Sequence, residues 1–273
     1  MLYLVQKNTF RPQNYEKLIT GLKELGYKYE IVLIKVNNSG LFEEDGKNYY
    51  YNTEVENIFA FGAVKMAACS CRYQWKPGSL LNKATHDYNS YVTYYKDNLL
   101  NYDSKVCDVI DDIEFDPFHG NFIRPTEDSK VFTGQVFNEE SWNEFKKHVS
   151  YNYSGLHNRT RIQVATVKVI YREIRCWIIN GVVITSARYK GVDLGPKEYD
   201  AERFAQKMAD IHCVAEAFVM DVCLTSDGWK IVEINCINCS GFYGADIKLI
   251  LFEINEHFDE SVEFIEPVET QEI

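Results

Sequence analysis

The chain has 273 residues, 46% apolar and 25% charged, enough for one large or two ordinary domains with a buried core. That composition, with a mean hydropathy of −0.30, excludes a disordered, collagen-like or coiled-coil protein, and no run approaches the roughly 18–20 apolar residues of a membrane span. The formal net charge of −11, with no Lys/Arg run, argues against general nucleic-acid binding.

Leu2 to Val5 is a short apolar run, and the start of the chain lacks the basic flank of a secretory signal, so the expected location is the cytoplasm. Tyr15, Leu18, Ile19, Leu22 and Leu25 then recur at helical spacing up to Gly26. Tyr29 to Val36 reads as a β-branched strand broken by Asn37-Asn38-Ser39-Gly40, and Ile58 to Phe61 as another, leading into a helix from about Gly62. This β-α-β-α order predicts a small parallel sheet. It carries neither G-x-G-x-x-G nor a P-loop. Lys76-Pro77-Gly78 reads as a loop in a polar, aromatic stretch, and the boundary between lobes falls near Asp103.

Strands follow at Val106–Ile110, Asn121–Arg124 and Val131–Phe137. Asn138, with Glu139 and Glu140 behind it, opens a helix carrying Trp142, Phe145 and Val149. A β-rich stretch runs from Arg161 to Tyr189, a helix covers about Lys197 to Ile211, a hairpin spans Phe218 to Asn235, and a closing helix starts near Tyr243. The acidic tail after Asp259 reads as solvated. The eight cysteines read as reduced core residues. Beside the close pairs Cys69/Cys71 and Cys236/Cys239 the histidines show no zinc-ligand spacing.

Two hairpins carry most of the chemistry. In Phe218–Asn235, a three-residue Ser226-Asp227-Gly228 loop sets Asp221 opposite Glu233, with Asn235 on the same face. Opposed carboxylates repel unless a cation sits between them, and a divalent ion with hard oxygen ligands is the natural resolution. A solvated acidic face is the plainer alternative, and a two-residue loop would send the acids to opposite faces. In Glu173–Arg188, Asn180-Gly181 calls for a type I′ turn. That register pairs Arg175 with Ser186 and Glu173 with Arg188, an arginine-rich end suited to carboxylate or phosphate oxygens, or simply a surface ion pair.

In order and spacing, Glu173-Ile174-Arg175, Asp221 and Glu233-Ile234-Asn235 resemble the C-terminal core of the ATP-grasp superfamily. Phe122-Ile123-Arg124-Pro125 resembles the strand that ends in Lys-Pro in that superfamily, with arginine replacing lysine, and Ser129-Lys130 to Gly134 follows. This is similar to the phage and bacterial clade with that replacement, as is the stretch from Asn235 to Asp246. The resemblance covers about Asp103 to Phe252. It implies an α/β N-terminal lobe (1–103) followed by an α+β ATP-grasp core of two subdomains (104–273) that clasp the nucleotide.

By that resemblance Asp221, Glu233 and Asn235 would hold Mg2+ or Mn2+, Arg124 and Lys130 would meet the α- and β-phosphates, and Arg175 would steady the γ-phosphate. Gln163, Val164, Ala165 and Thr166 would lie along adenine, with Lys168 near ribose or phosphate. Arg188 joins Arg175 as a catalytic candidate. Ser186, Asn238 and Asp246 are candidates to face substrate, with helix capping the structural alternative for the last two. The implied activity is an ATP- and Mg2+-dependent carboxylate–amine or carboxylate–thiol ligase working through an acyl phosphate on an amino acid, peptide or protein, in the host cytoplasm if phage-encoded. The alternatives are a nucleotide-binding protein without turnover and an ATP-dependent small-molecule kinase.

Overall fold

The computed structural model describes residues 1–34, 40–42, 47–49, 57–126, 131–149, 156–191 and 199–259. Lys130, the end of the strand expected to reach Val36 and the tail beyond Asp259 lie outside the described residues. The chain groups into two compact units, Met1–Ser79 with Ile247–Ile273, and Leu80–Asp246.

In the first unit come β1 (Leu2–Gln6), α1 (Pro12–Glu24), β2 (Lys28–Ile34), β3 (Leu41–Phe42), β4 (Asn57–Phe61), α2 (Val64–Tyr73) and β5 (Lys76–Gly78). The sheet order is β3-β2-β1-β4-β5, with only β3 antiparallel to its neighbour. Parallel strands covered on both faces need continuous apolar runs, and Leu4, Val5, Phe59, Ala60 and Phe61 are all fully buried. Pro12 opens α1, where its missing N–H costs nothing. The closing helix, Ile247–Phe258, packs on α1. There Gly21 lets it approach closely, since a Cβ at this position would stand 2.9 Å from Leu251. Lys76-Pro77-Gly78, expected as a loop, pairs with β4 as an edge strand, a place where proline is tolerated.

In the second unit, α3 (Tyr88–Tyr95) is capped by Asp87, whose carboxylate accepts from the Asn89 amide at 2.8 Å. Strands β6 (Lys105–Asp108), β7 (Asn121–Pro125), β8 (Gln135–Phe137) and β9 (Arg161–Thr166) form an antiparallel sheet ordered β6-β9-β7-β8, with α4 (Glu139–Val149) between β8 and β9. The cap of α4 is reciprocal: the Ser141 amide donates to Asn138 Oδ1 and the Asn138 amide to Ser141 Oγ. A second antiparallel sheet, β11-β10-β12-β13, joins β10 (Arg172–Ile179), β11 (Val182–Gly191), β12 (Ala217–Thr225) and β13 (Gly228–Cys236). One face packs under α5 (Tyr199–Ile211), with Ile174, Cys176, Met220 and Val222 against Ala205 and Met208. Tyr88, Tyr91 and Tyr95 of α3 join that core. Their burial assigns Leu80–Tyr102 to this unit, whereas the sequence put the boundary near Asp103.

Both hairpin registers depart from a plain ladder. Thr225 pairs with Gly228, so the β12–β13 loop is two residues, Ser226-Asp227, not three. Alone, that shift would part the carboxylates. A bulge between Asp221 and Val222 restores the pairing, however, and Asp221 faces Glu233. In β10–β11 the Asn180-Gly181 turn has positive φ at both residues, as type I′ requires. Two irregularities then move the register, so Arg175 opposes Ala187, Ile174 opposes Arg188 and Glu173 opposes Lys190. The expected Arg175–Ser186 and Glu173–Arg188 pairings are thereby corrected.

Candidate active site

Alternation leaves one face of β10, β12 and β13 free of α5, and the register puts Arg175, Asp221 and Glu233 in one row across it. Arg175 donates from Nε and Nη2 to the two Asp221 oxygens, each at 2.7 Å, a bidentate fork. Asp221 has no exposed surface. Burial lifts its carboxyl to about 6 against the pull of Arg175, with Glu233 adding to the rise. Burial lowers Arg175, but Asp221 outweighs it and the guanidinium is held above its ordinary value. Asn235 bridges the acids, its Nδ2 donating to Glu233 Oε1 at 3.0 Å and to Asp221 Oδ2 at 3.3 Å.

A second arginine arrives from the other sheet. Arg124 on β7 pairs with Glu233 Oε2 at 2.8 Å and donates to the Val232 carbonyl at 3.4 Å. For Glu233 burial acts upward, but Arg124, Asn235 and Arg175 prevail and its carboxyl sits below the usual range.

Arg124, Glu233 and Asn235 line a cavity of about 640 Å³ within the second unit, together with apolar Phe122, Phe132 and Ile170. Val232 and Glu233 both line it, which strict alternation forbids and the bulge allows. Thr166 and Lys168 lie on its wall. Lys168 Nζ donates to Asp103 Oδ1 at 2.6 Å and Thr166 Oγ1 to Asp103 Oδ2 at 2.7 Å. Gln163, Val164 and Ala165 are buried in β9, where Gln163 sits opposite Arg124 and accepts from Ser104 Oγ at 3.4 Å.

Residues 63–254 match a family described as an ATP-grasp domain, family 3 of its clade. The chain belongs to this ATP-grasp family. No curated protein matches the sequence. Among solved structures the fold is similar to D-alanine–D-alanine ligase from Bacillus anthracis complexed with ATP, at TM-score 0.59 and 11% identity, over 94% of this chain and 96% of that one. It is similar to the D-cycloserine synthetase DcsG at 0.56 and 11%, over 93% and 98%. A RimK domain ATP-grasp protein from Sphaerobacter thermophilus gives 0.54 and 11%, over 91% and 92%.

The ATP-grasp core thus gathers Arg124, Arg175, Asp221, Glu233 and Asn235, with Thr166 and Lys168 farther along the cavity. It does not bring Ser186 or Arg188 to Arg175. Their partners Cys176 and Ile174 lie in the core under α5, and Ser186 Oγ donates to Glu202 on that helix at 2.7 Å. Asn238 is buried, its Oδ1 accepting from the Leu80 amide at 2.9 Å. Asp246 is exposed, immediately before the closing helix. Sequence reasoning took Glu173 only as a strand partner and motif residue and passed over Lys190; both line the cavity and they pair at 2.6 Å. Tyr189 and Tyr243, packed on Arg175, were passed over as well. The bulges that bring Tyr189 and Lys190 to this face leave no mark in a period-two pattern.

Proposed function

We propose that this protein is an ATP- and magnesium-dependent ligase that joins a carboxylate to an amine or thiol through an acyl phosphate. The observation that carries it is the facing pair Asp221–Glu233 with Asn235, flanked by Arg124 and Arg175, with Arg124, Glu233 and Asn235 lining the cavity. The donor set fits magnesium: hard oxygens from two carboxylates and an amide on one face. Among the described residues no group of three or more His, Cys, Asp or Glu side chains could hold a metal by itself. Two carboxylates and an amide leave positions for phosphate oxygens and water, as magnesium prefers. When bound, the ion would neutralise charge on the terminal phosphates.

The chain's own groups supply the rest. Arg124 and Arg175 are fixed cations beside the carboxylates and offset the repulsion between a triphosphate and an approaching carboxylate. The apolar wall of Phe122, Phe132 and Ile170 suits a nucleobase and excludes water that would hydrolyse an activated acid. Lys168, tied to Asp103 and Thr166 on the cavity wall, is the cation this reading assigns to ribose hydroxyls or a phosphate. In the reaction an oxygen of the substrate carboxylate attacks the γ-phosphorus as its bond to ADP breaks. The nucleophile then attacks the acyl carbon, phosphate leaves and the nucleophile sheds a proton. Relatives named as D-alanine–D-alanine ligase and D-cycloserine synthetase support the reaction class.

The test is ADP release from Mg-ATP over a panel of amino acids, peptides and polyamines, expected only when an acid and a nucleophile are both present. Nucleotide binding without turnover on any pair favours a binding protein, and phosphate on an alcohol a kinase. The variant Asp221→Asn/Glu233→Gln is expected to lose the magnesium-dependent rise in melting temperature with ATP. An unchanged rise overturns the metal assignment.

A further inference from the structure

We propose that Tyr243, with Tyr189, is a positioning residue that holds the Arg175 guanidinium in the orientation needed to meet the terminal phosphate of ATP; this rests on the nucleotide reading above. The Arg175 guanidinium carbon lies 5.5 Å from the Tyr189 ring centroid and 5.2 Å from that of Tyr243. The two rings stack, with centroids 5.1 Å apart and planes 21° from parallel. Cation–π attraction is strongest where the cation is desolvated, and Arg175 is buried.

The Tyr189 ring is itself anchored. The Tyr189 hydroxyl donates to Glu173 Oε2 at 2.7 Å, and Lys190 donates to the other oxygen of that carboxylate at 2.6 Å. Tyr243 follows Phe242, which is fully buried. The Gly241 carbonyl, one residue earlier, accepts from Arg175 Nη1 at 3.4 Å. Two residues of one loop therefore meet Arg175, Gly241 through a carbonyl and Tyr243 through its ring, with buried Phe242 between them.

The backbone points the same way. Tyr243 has φ +47°, a left-handed conformation that costs an aromatic residue free energy and collects at functional sites. Gly244, for which that conformation would be free, stands next door without adopting it. Yet Tyr243 is 40% exposed, so burial alone does not account for a tyrosine there. Among the described residues Nε, Nη2 and Nη1 each donate once, which engages three of the five guanidinium N–H groups.

The experiment is calorimetric titration of the full-length protein with Mg-ATP and with Mg-ADP, read as the ratio of the two Kd values. The wild type is expected to prefer ATP. Tyr243→Phe keeps the ring and is expected to keep the ratio. Tyr243→Gly suits the left-handed backbone and is expected to hold its melting temperature, keep its ADP affinity and lose roughly tenfold in ATP preference, the scale of one partly desolvated cation–π contact. Tyr243→Asn, which also tolerates left-handed backbone, is the second ringless variant should the glycine variant fold poorly, with the same expectation. A wild-type ratio in the ringless variants, or an equal loss for both nucleotides, overturns the proposal alone. Failure of the wild type to bind either nucleotide overturns the nucleotide reading, and this proposal with it.

Discussion

Arg175 and Asp221 form the most consequential pair in the molecule, because neither can turn to solvent. Removing one partner of a buried pair strands the other charge, at a cost of about 3–5 kcal/mol. Arg175→Met is therefore expected to lose that much stability in urea unfolding near neutral pH, and the loss should depend on pH. Burial already lifts Asp221 to about 6 with Arg175 present, and without it the value rises further. Unfolded carboxylates titrate near 4. Because the intact pair already holds Asp221 at about 6, the variant's extra penalty is absent below about pH 6 and grows as pH rises from there toward the variant's own folded value. A penalty that is constant with pH would mean Asp221 does not feel Arg175. At this scale Glu233 and Asn235 were legible as one face because alternation along β13 forces it, whereas Asp221 joins them only through the bulge. The expected pairings of Ser186 with Arg175 and of Arg188 with Glu173 do not form, because two irregularities shift the β10–β11 register.

Among elements, β12–β13 shows how a mistaken loop can still lead to the right pairing. The three-residue loop is in fact two residues, and the bulge compensates, so the facing acids follow for a reason the sequence does not display. Gly228 closes the turn at φ +94° with nothing within 4 Å of where a Cβ would stand. Gly228→Ala thus isolates backbone conformation from packing. It is expected to cost about 1 kcal/mol or more in chemical unfolding and to leave the Mg-ATP Kd unchanged, since the bulge separates this turn from the acids. Helix α3 was missed although its signal was present. Tyr88, Tyr91 and Tyr95 recur at helical spacing behind an Asp cap, but tyrosine is a weak helix former and the stretch reads as polar. The parallel order of β1, β2 and β4, by contrast, was plain in the alternation of strand and helix.

For the whole molecule, the closing helix belongs with Met1–Ser79 rather than with the core it follows in sequence. Ile250, Leu251, Ile254 and Phe258 are buried, and at about 1.5–3 kcal/mol for each such side chain their removal rivals the roughly 5–15 kcal/mol that stabilises a domain. A chain ending at Asp246 is expected to lose cooperative melting of the first unit, seen as rapid proteolysis within Met1–Ser79. Protection equal to that of the full chain would show that the helix is dispensable. No helix among the described residues is long and apolar enough to cross a membrane. The grouping of distant segments was not legible because nothing local marks Ile247–Phe258 as the partner of α1. This pairing also sets a clock on synthesis. The ribosome finishes Ser79 long before it reaches Ile247, and at about 5–20 residues per second the nascent first unit waits on the order of ten to thirty seconds with the docking face of α1 uncovered. In the cell, that interval is when the chain most needs a chaperone.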